Sequence, residues 1–173
     1  VFKLRMKKFD VVILAGGKGT RIRKYLRNKP KPLVKVNHLY FLEYLINNIS
    51  KFYINKIFII AGYKGKKIFK IFNNLEKNLI PIEVLIEKKP LGTAGALSLV
   101  KNKVSDNFIV LNGDSIFDIN LNEIAKIKIK KNQSFMALTK NLNYKSNKTL
   151  TNIKLKKNLV IKANSSKIMN AGV

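Results

Sequence analysis

DVVILAGGKGTR, residues 10–21, is the stretch that decides the fold. After the leading aspartate it is apolar and β-branched with no alternation, the pattern of a strand buried on both faces. Gly16, Gly17 and Gly19 then turn the chain into a tight loop. Outward from this strand, KIFIIAG (56–62), IEVLI (82–86) and NFIVL (107–111) repeat the buried pattern. Between them, 41–52 carries apolar residues at 41, 42, 45, 46 and 49, the spacing of a helix, with Glu43 near its start where the helix dipole favours an anion. The stretch 66–72 puts Ile68, Phe69 and Phe72 on one helical face, and 92–100 reads as another helix. Pro30 and Pro32 exclude a helix interior, so 27–38 should run as an extended loop over the sheet. Strands alternating with helical segments imply an α/β domain with a largely parallel sheet. After about residue 133 the pattern changes to strands at 135–139 and 152–155, and another strand begins near 169.

The 173 residues suit a single domain, 1–173. A hydrophobic content of 46% supports a packed core and argues against disorder. The absence of cysteine rules out disulfides, iron–sulfur clusters and a thiol nucleophile, and a single histidine leaves no set for a histidine-ligated metal. His38 is read as a packing or surface residue. No apolar run approaches the roughly 20 residues that cross a bilayer, and the basic start lacks the features of a signal peptide. A soluble, cytoplasmic protein without a membrane partner is the expectation.

The formal charge of +26, from 35 basic against 9 acidic residues, suggests a polyanionic partner. Its distribution points elsewhere. Lysines are scattered among apolar residues along the whole chain, and arginine occurs only at Arg5, Arg21, Arg23 and Arg27. Heavy use of Lys, Asn and Ile resembles a coding bias acting on solvated faces, so no specific nucleic-acid partner is expected.

Open parallel sheets bind ligands in the crevice beyond the carboxyl ends of their strands. Three chemistry-bearing segments come after strands there: the glycine loop, 87–95 and 112–114. Glycines without a Cβ let backbone N–H groups approach an anion. The loop is not a Walker A sequence, and Ile22 stands where a dinucleotide fingerprint needs glycine. Arg21 adds a forked, permanently charged donor for phosphate oxygens. Lys31, between two prolines, adds a point charge on a rigid segment. Asp114 is one of four aspartates and comes after a buried strand with glycine before it. A carboxylate there suits Mg²⁺, which takes carboxylate and phosphate oxygens together. The alternatives are solvated cations and a turn aspartate, and Asp118 is read as the latter.

LAGGKGTR (14–21), PKPL (30–33), PLGTAG (90–95), LNGD (111–114) and NAGV (170–173), in this order and spacing, resemble the sugar-1-phosphate nucleotidyltransferases. The resemblance implies a Rossmann-like mixed, mainly parallel sheet with helices on both faces, the nucleotide-diphospho-sugar transferase fold. It implies a nucleoside triphosphate attacked at its α-phosphorus by a sugar 1-phosphate, releasing pyrophosphate. Carried over residue by residue, Arg21 and Lys31 would be catalytic, holding the reacting and leaving phosphates, and Asp114 would ligate Mg²⁺. Leu14, Ala15, Gly16, Gly17, Gly19 and Thr20 would contact the nucleotide. Glu87, Gly92 and Thr93 would form the base pocket, and Gly113 and Asn170 would meet the sugar substrate. A carboxylate at Glu87 only accepts hydrogen bonds; guanine offers two adjacent donors, so GTP is favoured, the alternative being a surface glutamate at a strand end.

Within the family, FLEYL (41–45), AGYK (61–64) and EKKPLGTAG (87–95) are most similar to the D-glycero-D-manno-heptose 1-phosphate guanylyltransferases, with the mannose-1-phosphate enzymes close behind. That implies a place in surface-glycan or lipopolysaccharide assembly. The chain departs from the family at Leu150-Thr151 and at Lys162-Ala163-Asn164, and it stops before the family's second metal-binding aspartate, as expected of a domain truncated at its C-terminus. The competing readings are a nucleotide-binding homologue without turnover and a basic RNA-binding module.

Overall fold

The structure, a computed structural model, describes residues 7–26, 28–129, 133–140, 153–156, 159–162 and 168–170. The chain divides into two compact units, Val1–Lys128 and Ile129–Val173.

The first unit is built on Phe9–Ala15 (β1), whose side chains are buried on both faces of the sheet. Two short strands, Lys35–Val36 (β2) and Leu39–Tyr40 (β3), form a hairpin ahead of the helix Phe41–Ile49 (α1). The chain continues through Ile54–Ala61 (β4), the helix Gly65–Phe72 (α2), Glu76–Lys77 (β5) and Ile80–Ile86 (β6). It ends with the short helix Gly92–Ala96 (α3), running into a 3-10 turn at Leu97–Val100, then Phe108–Asn112 (β7) and Leu121–Ala125 (α4). The sheet order is β5-β6-β4-β1-β7. β1 pairs in parallel with both β4 and β7, β4 pairs in parallel with β6, and β5 adds an antiparallel edge.

From β1 the strands step outward through β4 to β6, and the chain then crosses back to lay β7 on the other side of β1. Right-handed crossovers in opposite directions place their helices on opposite faces. One face carries Val12, Phe58 and Ile60 against Ala96 and Val100. The other carries Val11, Ile13, Ile57 and Ile59, all fully buried. On that face a Cβ at Gly65, the first residue of α2, would stand 3.2 Å from both Ala61 and Ile86. The order reverses between β1 and β7, which makes the carboxyl ends of these two strands the expected crevice.

Local chemistry accounts for the element ends. Glu43 accepts from the Tyr40 amide at 3.1 Å, satisfying a donor that α1 would otherwise leave open. Pro30 and Pro32 start a 3-10 turn, Lys31–Leu33, that buries Pro32 and Leu33. The segment 27–38, read as an extended loop, thus contains this turn and the first strand and turn of the β2–β3 hairpin. That hairpin turns at Asn37 and His38 with φ of 44° and 76°, and the β5–β6 hairpin turns at Asn78 and Leu79 with φ of 50° and 62°. Two residues at positive φ match the twist of a tight hairpin, but two-residue strands carry no periodicity to read.

Among the described residues, the second unit contains two antiparallel pairs. Leu138–Lys140 (β8) pairs with Ile168–Asn170 (β11), and Ile153–Lys156 (β9) with Leu159–Lys162 (β10).

At the other end of the sheet from the crevice, the buried Asp10 accepts from the Asn55 side chain at 2.9 Å and from the Ser105 amide at 2.7 Å. It ties β1 to the approaches of both neighbours. On the sheet surface, Glu83 accepts from Lys103 at 2.8 Å and Lys56 at 2.7 Å. These ammonium groups, Lys103 first, hold its carboxyl below the ordinary glutamate value of 4.5 against the opposing effect of partial burial. A depressed carboxyl stabilises the fold above its unfolded pKa, and the contribution is lost as pH falls through the folded pKa. Glu83→Gln should therefore cost about 0.5 kcal/mol at neutral pH, the scale of a partly exposed ion pair. Urea denaturation at a series of pH values should show the gap to the unaltered chain closing below about pH 4.

Candidate functional site

Three strand ends meet over the glycine loop. The Gly16 carbonyl accepts from the Tyr63 amide at 3.1 Å, and the Glu87 amide donates to the Ala61 carbonyl at 2.9 Å. Glu87, leaving β6, lays its carboxylate across Gly16 and Gly62. A Cβ on Gly16 would collide with Glu87 Oε2, and one on Gly62 would come within 2.7 Å of that oxygen and 2.8 Å of the Gly16 carbonyl. At Gly62 the obstacle includes the Gly16 backbone, so glycine is required there; at Gly16 the obstacle is the end of the Glu87 side chain. The other carboxylate oxygen, Oε1, accepts from the Leu91 amide at 3.2 Å. That bond folds the 87–91 loop so that Gly92, at φ +73°, can open α3.

The result is a cleft of about 560 Å³. Leu14, Ile60 and Ala96 give it apolar surface, and Glu87, Thr93 and Lys18 supply polar groups. Apolar walls with a few fixed polar groups are what a small-molecule site requires.

A second cleft of about 500 Å³ shares Leu14, Gly17 and Asn112 with the first, so the two are contiguous. Ala15, Gly19, Thr20, Lys31, Gly113 and Asp114 line it. Gly19, at φ +60°, lets the loop fold back onto Leu26 and Lys31. Gly113 donates its amide to the Leu14 carbonyl at 2.9 Å, and a Cβ there would stand 2.9 Å from that same oxygen. This close approach of β7 to β1 carries Asp114 to the edge of the cleft, where its Oδ2 meets Lys31 Nζ at 2.8 Å. Chemically the second cleft offers a glycine-loop backbone, an ammonium group and one carboxylate, a set suited to phosphates with a bound cation.

The structure brings together Leu14, Ala15, Gly16, Gly17, Gly19, Thr20, Lys31, Glu87, Gly92, Thr93, Gly113 and Asp114, all read from the sequence as site residues. Arg21 lies in the 3-10 turn Thr20–Tyr25, and its side chain is outside the described residues. Asn170 is the last residue of β11, in register with Leu138 in the second unit. Leu150-Thr151 and 163–164 fall outside the described residues, as do 171–173 of the last motif. Tyr63, Lys88, Lys89 and Asn112 also line the first cleft. The sequence reading assigned none of them a role, although all end strands or come just after them at the crevice. Among the described residues no group of three or more His, Cys, Asp or Glu could form an all-protein metal cage. Asp114 alone fits Mg²⁺ only where phosphate oxygens and water complete the shell. No helix among the described residues is long and apolar enough to cross a membrane.

Comparison with known proteins places the chain in a family. The profile of the family described as Nucleotidyl transferase matches residues 10–163. The D-glycero-alpha-D-manno-heptose 1-phosphate guanylyltransferase of Campylobacter jejuni is 36% identical over 129 residues, 75% of this chain and 57% of that protein. The Bifunctional protein GlmU of Methanococcus maripaludis is 37% identical over 115 residues, 66% of this chain and 27% of that protein. HddC from Yersinia pseudotuberculosis, solved in complex with GMP-PN, superimposes with a TM-score of 0.59 at 33% identity, covering 67% of this chain and 52% of that one. A second HddC structure superimposes with a TM-score of 0.71 over 95% of this chain and 74% of that one, at 24% identity, and shares the fold. The chain thus spans about a quarter of its GlmU relative and just over half of the heptose enzyme.

The packing around Glu87 makes a prediction that needs no ligand. Gly16→Ala should destabilise the chain by about 1 kcal/mol, the low end of overpacking, since the carboxylate can move aside at the cost of its Leu91 bond, and Glu87→Ala should recover most of that loss. Gly62→Ala should not be recovered by Glu87→Ala, since the Gly16 backbone also stands within 2.9 Å. Denaturant melts of the single and double variants check both statements.

Proposed function

The chain belongs to the nucleotidyl transferase family, and on that basis we propose that it is the nucleotide-binding part of an enzyme that transfers GMP from GTP to a sugar 1-phosphate of the heptose or mannose type. The observation that carries this reading is the pair of contiguous clefts at the carboxyl ends of β1, β6 and β7. The first, with apolar walls and a few polar groups, is read as the base and ribose site, and the second, lined by the glycine loop, Lys31 and Asp114, as the phosphate site.

The base lies against Leu14, Ile60 and Ala96 in the first cleft. Glu87 already holds the Leu91 amide through one oxygen. A carboxylate has about four acceptor positions, so lone pairs remain for the adjacent N–H donors of guanine. Similarity to the heptose guanylyltransferase and to HddC bound to GMP-PN supports the same base. The glycine loop supplies backbone donors to the triphosphate. An anionic oxygen of the sugar phosphate attacks the α-phosphorus, the bond from that phosphorus to the bridging oxygen breaks, and pyrophosphate departs with the electron pair. No proton has to move, because the attacking oxygen is already charged at neutral pH. Lys31 binds the reacting phosphates, and Arg21 stabilises the charge that accumulates on the leaving pyrophosphate. Asp114 would hold Mg²⁺, which would supply neutralisation of phosphate charge there. The protein's own share is positioning and electrostatics.

Calorimetric titration of the chain with GTP, UTP, dTTP and CTP in the presence of Mg²⁺ should show GTP preferred. Glu87→Gln should erase that preference by about tenfold, the worth of a charge-assisted hydrogen bond. Equal affinity for all four would reduce Glu87 to its structural bond with Leu91. In the protein carrying this chain, Arg21→Ala and Asp114→Asn should each lower pyrophosphate release with GTP and heptose or mannose 1-phosphate by about a hundredfold. Unchanged rates in both variants would remove the mechanism.

A further inference from the structure

We propose that Lys31 and Asp114 form a charge latch in the free protein, so that the triphosphate and the divalent cation each bind better once the other has bound. The inference rests on the nucleotide reading of the site and goes beyond it.

The two side chains come from positions 83 residues apart and meet at 2.8 Å. Both stand on fixed backbone. Lys31 opens a 3-10 turn with Pro30 before it and the buried Pro32 and Leu33 after it. Asp114 comes directly after Gly113, whose amide is bonded to the β1 carbonyl of Leu14. The pair is nevertheless reachable, with side chains 37% and 47% exposed on the second cleft. Asp114 is the only carboxylate among the described residues lining that cleft.

Each ligand alone meets the wrong charge. A bare divalent cation finds its one carboxylate already neutralised by an ammonium group at contact distance. A metal-free triphosphate finds its ammonium group paired with a carboxylate that repels it. When both arrive, the phosphates take Lys31 and the cation takes Asp114, and no charge is left without a partner. The coupling is therefore positive, and linkage makes it equal in both directions. Its size is that of the half-exposed ion pair it replaces, about two- to fivefold in affinity.

The test separates the latch from the nucleotide site itself. GTP affinity is measured by calorimetry in chelator and then with Mg²⁺, on chains whose folding is checked by circular dichroism. Asp114→Asn should bind metal-free GTP about two- to fivefold more tightly than the unaltered chain, and Mg²⁺ should then add little. Asp118→Asn removes an exposed carboxylate four residues further on and should leave metal-free affinity unchanged. Independently of nucleotide, Lys31→Met should bind Mn²⁺, used as a paramagnetic probe, about two- to fivefold more tightly than the unaltered chain. If the unaltered chain binds GTP but Asp114→Asn gains nothing, or gains no more than Asp118→Asn, the latch is overturned and the nucleotide reading stands. Folded chains that bind no GTP in any variant would overturn both.

Discussion

β1 has no free side, and the rest of the first unit is arranged around that constraint. Both its edges are hydrogen-bonded, to β4 and to β7, and both its faces are buried. A parallel strand in this position must end in a loop at the same edge of the sheet as its neighbours' loops. The glycine loop, the 61–65 turn, Glu87 and Asp114 are therefore delivered to one place by the sheet itself. Asp10 fixes the opposite end, with one oxygen on Asn55 and the other on Ser105.

Close backbone approach turns that convergence into a site. Gly16, Gly62 and Gly113 each stand where a Cβ would meet a carbonyl or carboxylate oxygen. Without side chains at these points the strand ends close up. Glu87 then bonds β4 through its amide and its own loop through its carboxylate, which packs over Gly16, and Asp114 reaches Lys31. The Glu87 carboxylate is held by packing and by a backbone bond to Leu91, whereas Lys31 and Asp114 hold each other.

The large positive charge has a narrower meaning than its size suggests. Lysines on the solvated surface add a general attraction for anions. A few are committed to particular partners: Lys56 and Lys103 to Glu83, Lys31 to Asp114, and Lys64 to Asn28. With 9 acidic residues against 35 basic ones, few lysines can have a carboxylate partner. The two that meet Glu83 lower its pKa.

The four parallel strands, the helices between them and the segments that line the two clefts were legible in the amino-acid sequence. Long apolar runs and helical spacing are local signals, and the crevice rule for parallel sheets locates the segment after each strand. The β2–β3 hairpin at 35–40 and the edge strand β5 at 76–77 were not legible, because strands of two residues have no period and the hairpin turns use Asn, His and Leu rather than glycine at positive φ. Glu87, Lys31 and Asp114 stood out in the sequence as separate candidates. That Glu87 staples its own loop across two glycines, and that Lys31 and Asp114 are partners, emerges only in the folded chain. Such pairings depend on distances of a few ångströms between segments tens of residues apart, and those distances exist only once β1 has gathered its neighbours around it.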